Sequence, residues 1–335
     1  MKREGYLIEK IADPDNLRLA FWKAKKGKGG KNEVLIYQKN LDKHLMQLRN
    51  ALLSGTVSVG DYYYFKVYDP KERQICAAAF SERVLHHAIM NVCHSSFERY
   101  QLHDSYASRT NKGTFAALNR AADFQKRYRW YLKLDVRKYF DSIDHTILKA
   151  LLERRFKDPE LIQLFSAIIE SYHSQPGRGL PIGNLTSQYF ANHYLAVNDH
   201  YVKETLRVSA YVRYMDDMVL WGNDRIELLE KGHSLKAFVG SSLGLTLKPF
   251  CLNRSDQGLP FLGFLLYPQT IRLNHNSRDR FIKKLKGYQQ NLAAGIWDQG
   301  DYQRHVLPLL SFVKHADSAG WRSHRMSSQE YGQGL

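Results

Sequence analysis

The chain has 335 residues, 44% of them hydrophobic, and its 49 Lys and Arg outnumber 33 Asp and Glu to leave a formal net charge of +16. That composition supports one large domain or two to three smaller ones and excludes wholesale disorder. The positive excess points to a polyanionic partner, nucleic acid before membrane. No run reaches the roughly 18 consecutive apolar residues of a membrane span. The start, Met1-Lys2-Arg3-Glu4-Gly5-Tyr6, has no apolar signal region. Cys76, Cys93 and Cys251 are odd in number and widely spaced. They support neither a disulfide framework nor a zinc site and suit a reducing, cytoplasmic setting.

Residues 7 to 54 read as helical, with Asp13-Pro14 as cap and first turn of a helix through Trp22. The run Lys23-Ala24-Lys25-Lys26-Gly27-Lys28-Gly29-Gly30-Lys31 breaks that pattern; it reads equally as a loop that tracks phosphates or as a solvated linker. Tyr62 to Tyr68 and Arg73 to Ile75 are rich in β-formers and flank a turn at Asp69-Pro70. Helical patterns follow over 82–97 and 114–127, separated by a polar loop that carries Arg109 and Lys112. Trp130-Tyr131-Leu132-Lys133-Leu134 reads as a strand ending at Asp135. Helices are expected from Asp144 to about Phe156, over 159–172 and over 185–206, the last after the loop Gln175 to Gly183. A helix over 225–242, two or three short strands through Phe264 and a helical region from Asn276 complete the chain. Ten Lys and Arg against four Asp and Glu between Arg272 and Arg325 suit the surface of a nucleic-acid duplex or a solvated helical face.

The chemistry centres on Ala210-Tyr211-Val212-Arg213-Tyr214-Met215-Asp216-Asp217-Met218-Val219-Leu220, which reads as a hairpin with Asp216 and Asp217 at its turn. Two ionised carboxylates so close repel, and one tends to hold a proton. A divalent cation removes that penalty, and oxygen-only ligands suit Mg²⁺. If the strand ending at Asp135 pairs with this hairpin, three carboxylates meet. Such a cluster can hold two Mg²⁺ ions that clamp the attacking and leaving oxygens of an in-line phosphoryl transfer. Asp141 and Asp144 read instead as helix-entry caps.

Tyr214-Met215-Asp216-Asp217, together with Asp135 and the aromatic residue after it, resembles the palm of a reverse transcriptase. The resemblance runs in ordered blocks from about Tyr68 to Phe264. It implies catalysis by Asp135, Asp216 and Asp217, with Asp135, Val136, Asp216 and Asp217 at two Mg²⁺ ions. Phe140, five residues after Asp135, stands where the family places its steric gate against a ribose 2′-OH; a core aromatic suits the same position. Lys71, Arg73, Arg109 and Lys112 lie in blocks similar to those that contact the incoming triphosphate, Arg73 and Arg109 first because a guanidinium holds phosphate bidentately. Lys112 suits the template backbone equally. Lys248 falls where the family carries a proton donor to pyrophosphate, and a solvated lysine fits as well. Phe261-Leu262-Gly263-Phe264 resembles the primer grip, with Gly263 letting backbone approach the primer end; a plain core strand is the alternative.

The segment Leu180-Pro181-Ile182-Gly183-Asn184-Leu185-Thr186-Ser187-Gln188 departs from the common family pattern. Ile182 stands where many members have Gln, and Gln188 where many have Pro. In this it is similar to reverse transcriptases of diversity-generating retroelements, which copy a template-repeat RNA with errors at adenines. Ile182, Gly183 and Gln188 are accordingly placed at the dNTP. The resemblance implies an α+β right hand: an N-terminal helical extension (1–60), fingers and palm with a small antiparallel sheet (61–268) and a helical thumb (269–335). It also implies RNA template, DNA or RNA primer and dNTPs as partners, a pentameric basic accessory variability protein, and no membrane. Two other readings are an antiphage or group II intron-like reverse transcriptase, and an RNA-binding module on an inactive palm.

Overall fold

The structure, a computed structural model, describes residues 5–68 and 72–321. The Asp69-Pro70 turn, Lys71 and the final Ser323 to Leu335 segment lie outside those residues. Among the described residues the fold is α+β, and no helix is long and apolar enough to cross a membrane.

Four helices open the chain: α1 (Ile8–Ile11), α2 (Pro14–Lys25), α3 (Asn32–Lys39) and α4 (Leu41–Ser54). Asp13 caps α2 by accepting from the Asp15 and Asn16 amides, and Pro14 takes the first helical position. α2 runs on through Lys23, Ala24 and Lys25 of the lysine-glycine run, beyond the expected end at Trp22, and only Lys26 to Lys31 connect it to α3. A two-stranded antiparallel ribbon follows, β1 (Tyr62–Val67) and β2 (Arg73–Ala78), which exposes Tyr63, Tyr64 and Phe65. Next come α5 (Phe80–Glu98) and α6 (Thr114–Arg127).

The four-stranded antiparallel sheet that positions the site has the order β4 (Ala210–Tyr214), β5 (Asp217–Gly222), β3 (Trp130–Asp135), β6 (Cys251–Arg254). Between β3 and β4 the chain forms α7 (Tyr139–Ser142), α8 (His145–Glu153), α9 (Pro159–Glu170) and α10 (Leu185–His200). A single π-helical turn, Tyr201–Thr205, ends α10 where an uninterrupted helix was expected. Asp144 does cap α8, accepting from the Thr146 and Ile147 amides. Asp141 sits inside α7 rather than capping a helix. The chain continues through α11 (Arg225–Leu243), a three-stranded sheet of β7 (Leu259–Phe261), β8 (Phe264–Leu266) and β9 (Ile271–Leu273), and the helices α12 (His275–Ala293) and α13 (Gln299–Val313).

Strand alternation divides the interior in two. Leu132, Leu134, Tyr211, Met218 and Leu220 point into a large core shared with the N-terminal helices, α5 and α8 to α11. Tyr131, Ala210, Val212, Val219 and Trp221 point the other way, into a second core built with α6, β7 to β9, α12 and α13. The strands β3, β4 and β5 are therefore largely apolar on both faces, with Lys133, Asp135 and Asp217 together near one end and Arg213 buried on the large-core side.

Candidate active site

Asp135 and Asp217 are directly opposed residues of the antiparallel β3–β5 pair, so their side chains leave the same face of the sheet. Both belong to the parity that faces the second core, with Lys133 on the same face two residues earlier. Tyr214 and Asp217 close the β4–β5 hairpin, so its two turn residues are Met215 and Asp216. Asp217 thus opens β5 rather than sitting in the turn, as the sequence suggested. Met215 has φ of 57°, a left-handed conformation uncommon without glycine. A positive φ at the first central position alone has the sign pattern of a II′ hairpin turn.

Each opposed carboxylate holds a lysine with one oxygen. Lys248 Nζ lies 2.7 Å from Asp135 Oδ2, and the Lys248 amide donates to the Asp135 carbonyl at 2.8 Å. Lys133 Nζ lies 3.1 Å from Asp217 Oδ2 and donates to the Pro260 carbonyl at 2.8 Å. The other oxygens, Asp135 Oδ1 and Asp217 Oδ1, are buried without a hydrogen-bond partner. Burial pushes the Asp217 carboxyl up to about 6 against the pull of Lys133, with Asp135 and Asp216 adding repulsion. Burial also raises Asp216, as does Asp135, while Lys248 and Arg73 hold it down. Crowded, desolvated carboxylates with buried unpaired oxygens are the donor set that a hard divalent cation satisfies. The residues therefore fit Mg²⁺. No three His, Cys, Asp or Glu side chains among the described residues form a ready-made metal cage, and the two lysines supply the positive charge here.

Around this centre the other sequence-selected residues divide. Val136 is buried beside Asp135 and bridges to Leu247. Arg73, exposed at the start of β2, is near enough to act on Asp216. Phe140 lies on α7, half-buried against the large core, and its carbonyl accepts from the Leu180 amide at 2.8 Å. The Ile182 carbonyl accepts from the Cys76 amide at 2.8 Å and Asn184 Oδ1 from the Ala78 amide at 3.0 Å, so the Pro-Ile-Gly loop is stitched along β2. Gly183 has φ of 124°, and a Cβ there would sit 2.9 Å from Ile75 Cγ2 and 3.3 Å from the Cys76 carbonyl. Gly183→Ala is expected to cost about 1–3 kcal/mol, from backbone strain and that clash, read as a lower thermal midpoint.

Arg109 and Lys112 are not brought to the carboxylates. The Arg109 guanidinium bonds Glu98 through Nε at 2.9 and 3.1 Å and also donates to the Leu102 and Ser105 carbonyls. With its donors committed to folding its own loop, it presents no free fork to a triphosphate in this structure. Lys112 Nζ donates to the His103 carbonyl at 2.9 Å and lies over the Tyr106 ring. Gln188 accepts from the Ser108 hydroxyl at 3.1 Å, tying that loop to α10.

Phe261 is buried beneath Lys133, whose ammonium lies 5.9 Å from the ring centroid. Leu262 and Gly263, with φ of 49° and 90°, form the two-residue β7–β8 turn. A Cβ on Gly263 would meet Ser277 Oγ at 2.8 Å and Phe312 Cζ at 3.1 Å. This glycine lets α12 and α13 close on the hairpin, a different reason from the approach to a primer that the sequence suggested. Lys133 was not singled out from sequence. Its signal was parity: two residues before Asp135 on one strand, it had to share that carboxylate's face.

Residues 69–266, more than half of the chain, match the family described as reverse transcriptase (RNA-dependent DNA polymerase). The chain belongs to the reverse transcriptase family. Its α+β architecture is that family's right hand, with the opposed aspartates in the palm sheet and α12 and α13 beyond it. The curated relatives of this reverse transcriptase include the group II intron-encoded protein LtrA of Lactococcus lactis subsp. cremoris, 25% identical over 171 residues that make up 48% of this chain and 28% of LtrA. Protein YkfC of Escherichia coli K12 is 27% identical over 194 residues, 53% of this chain and 50% of YkfC. The chain thus spans half or less of these relatives. Among solved structures it is similar to telomerase from Candida albicans in complex with the TWJ fragment of telomeric RNA, with a TM-score of 0.49 and 13% identity over 83% of this chain and 58% of that one.

Proposed function

We propose that this reverse transcriptase copies RNA into DNA at the site formed by Asp135, Asp216 and Asp217. The observation that carries the reading is the opposition of Asp135 and Asp217 on one sheet face, each with a buried, unpaired oxygen, beside the turn that bears Asp216. Asp135, Val136, Asp216 and Asp217 would hold two Mg²⁺ ions, which supply Lewis-acid activation of the primer 3′-hydroxyl and charge neutralisation at the triphosphate. Arg73 reaches the triphosphate from the ribbon. Lys248 is the ammonium beside Asp135 that protonates the leaving pyrophosphate. Phe140 crowds the sugar, and Ile182, Gly183 and Gln188 border the nascent pair. Phe261, Leu262 and Gly263 form the rigid floor next to Lys133 on which the primer end rests. Tyr63 and Phe65, 59% and 50% exposed, offer rings on which template bases stack.

Extension of a DNA primer on an RNA template tests this directly. Dideoxy-terminable products are expected with Mg²⁺ and dNTPs, none with a chelator, and tight template binding that weakens steeply with salt. A chain that binds template and primer yet never extends it would leave only an RNA-binding role.

We further read residues 1–60, 61–268 and 269–335 as helical extension, fingers with palm, and thumb. Within this activity, Ile182 and Gln188 support a diversity-generating retroelement enzyme that copies a template-repeat RNA with errors at adenines and works with a pentameric basic accessory protein in the cytoplasm. An Ile beside the nascent pair offers shape where Gln offers a hydrogen bond, so discrimination weakens. Ile182→Gln is expected to lower adenine misincorporation in sequenced cDNA, and an unchanged error spectrum would remove the link. The name of the relative LtrA, a group II intron-encoded protein, favours the second reading, a group II intron-like enzyme.

A further inference from the structure

Among the described residues Arg213 heads the fully buried side chains by volume, and it sits directly beneath the carboxylate-bearing turn. As a β4 residue it points away from Asp135 and Asp217, into the helical layer. There its Nε lies 2.7 and 3.0 Å from the Asp199 oxygens and its Nη2 2.7 Å from Asp199 Oδ2. Asp199, on α10, is equally buried and also accepts from the Tyr211 hydroxyl at 2.7 Å. Arg213 Nη1 donates to Asn192 Oδ1 and to the Met215 carbonyl, each at 3.1 Å. Asn192 in turn donates to the Ala107 carbonyl at 2.7 Å, and the Arg213 backbone pairs with Asp104 and Tyr106 of the same loop.

A buried ion pair does not by itself make a core more stable than apolar side chains of the same volume would. What it supplies is geometry. A guanidinium held flat by a carboxylate has its remaining donors fixed in direction. One of those donors meets the carbonyl of Met215, the non-glycine residue whose left-handed backbone sets the shape of the turn.

The geometry points to Arg213 as a positioning residue: clamped by Asp199 and Asn192, it holds the Met215 carbonyl and thereby fixes where Asp216 and Asp217 project. The kinetic consequence rests on the polymerase reading above; the structural consequence does not. Lys at this position keeps the charge beside Asp199 but has no fork with which to reach Met215 as well.

The test compares wild type with Arg213→Lys, using the melting midpoint, methyl NMR of [methyl-¹³C]methionine-labelled chain without metal, and steady-state primer extension. The chain has six methionines; Met215 is assigned from Met215→Leu, and Met46 on the distant α4 is the reference. In folded Arg213→Lys the Met215 methyl signal is expected to shift or broaden while Met46 does not. The turnover number should fall about 100-fold with the dNTP KM within about twofold, as expected when groups are misplaced rather than binding lost. A Met215 signal identical to wild type, or unchanged turnover, overturns the assignment. Should Arg213→Lys not fold, Asn192→Ala is read by the same criteria, because it removes one Nη1 acceptor and leaves the buried pair whole. If wild type does not extend primers but Met215 responds as expected, the polymerase reading falls and the clamp stands.

Discussion

In Asp217→Asn, primer extension at saturating dNTP falls by about 1,000-fold or more while the fold persists. Asn keeps the volume and one oxygen but loses the charge that pairs with Lys133 and that the proposed metal ions would need. The fold tolerates this because the native carboxylate is unfavourably placed. Burial and the neighbouring Asp135 and Asp216 already push it toward its neutral form. The thermal midpoint of Asp217→Asn is therefore expected at or above that of wild type, and template affinity is expected to be unchanged. Lys133 keeps its bond to the Pro260 carbonyl, so β7 does not detach. Activity within tenfold of wild type would sink the assignment of Asp217. The same experiment on Asp135→Asn releases Lys248, whose backbone bond to residue 135 is untouched.

The largest loss of stability is expected from Asp199→Ala, about 3–5 kcal/mol by urea unfolding. Asp199 and Arg213 are both fully buried, with no exposed surface on either side chain. Removing the carboxylate strands a guanidinium among α10, β4 and the turn, and the Tyr211 hydroxyl loses its acceptor as well. A useful comparison is Asp224→Ala, which removes the cap bonds to the Ile226 and Glu227 amides at the exposed start of α11. That change should cost about 1 kcal/mol. Equal costs for the two would mean that water or a neighbouring group compensates Arg213, and the buried pair would lose its structural standing.

Much of the secondary structure was readable from local chemistry. Asp13-Pro14 and Asp144 each start a helix, and the runs rich in β-branched and aromatic residues at Trp130 to Asp135 and at Ala210 to Leu220 mark β3 and the β4–β5 hairpin, although β5 continues to Gly222. The short α7 and the π-helical turn after α10 were missed, because each is a few residues whose conformation comes from packing rather than propensity. The family resemblance suggested a role at phosphate for Arg109, but its partner here, Glu98, eleven residues earlier in the chain, is a pairing that no spacing rule predicts.

What the sequence by itself determined was the inventory: three acidic residues in two β-rich segments, two of them adjacent at a hairpin turn, and enough positive charge for a polyanion. The register was decided only by the tertiary structure. Sliding β3 by one residue against β5 would turn Asp135 to the opposite face, where Leu132 and Leu134 now pack. The burial of both apolar faces forbids that slip, so the cores far from the site determine that Asp135 meets Asp217. The same packing decides that Arg213 faces inward, where only a fully buried carboxylate could receive it.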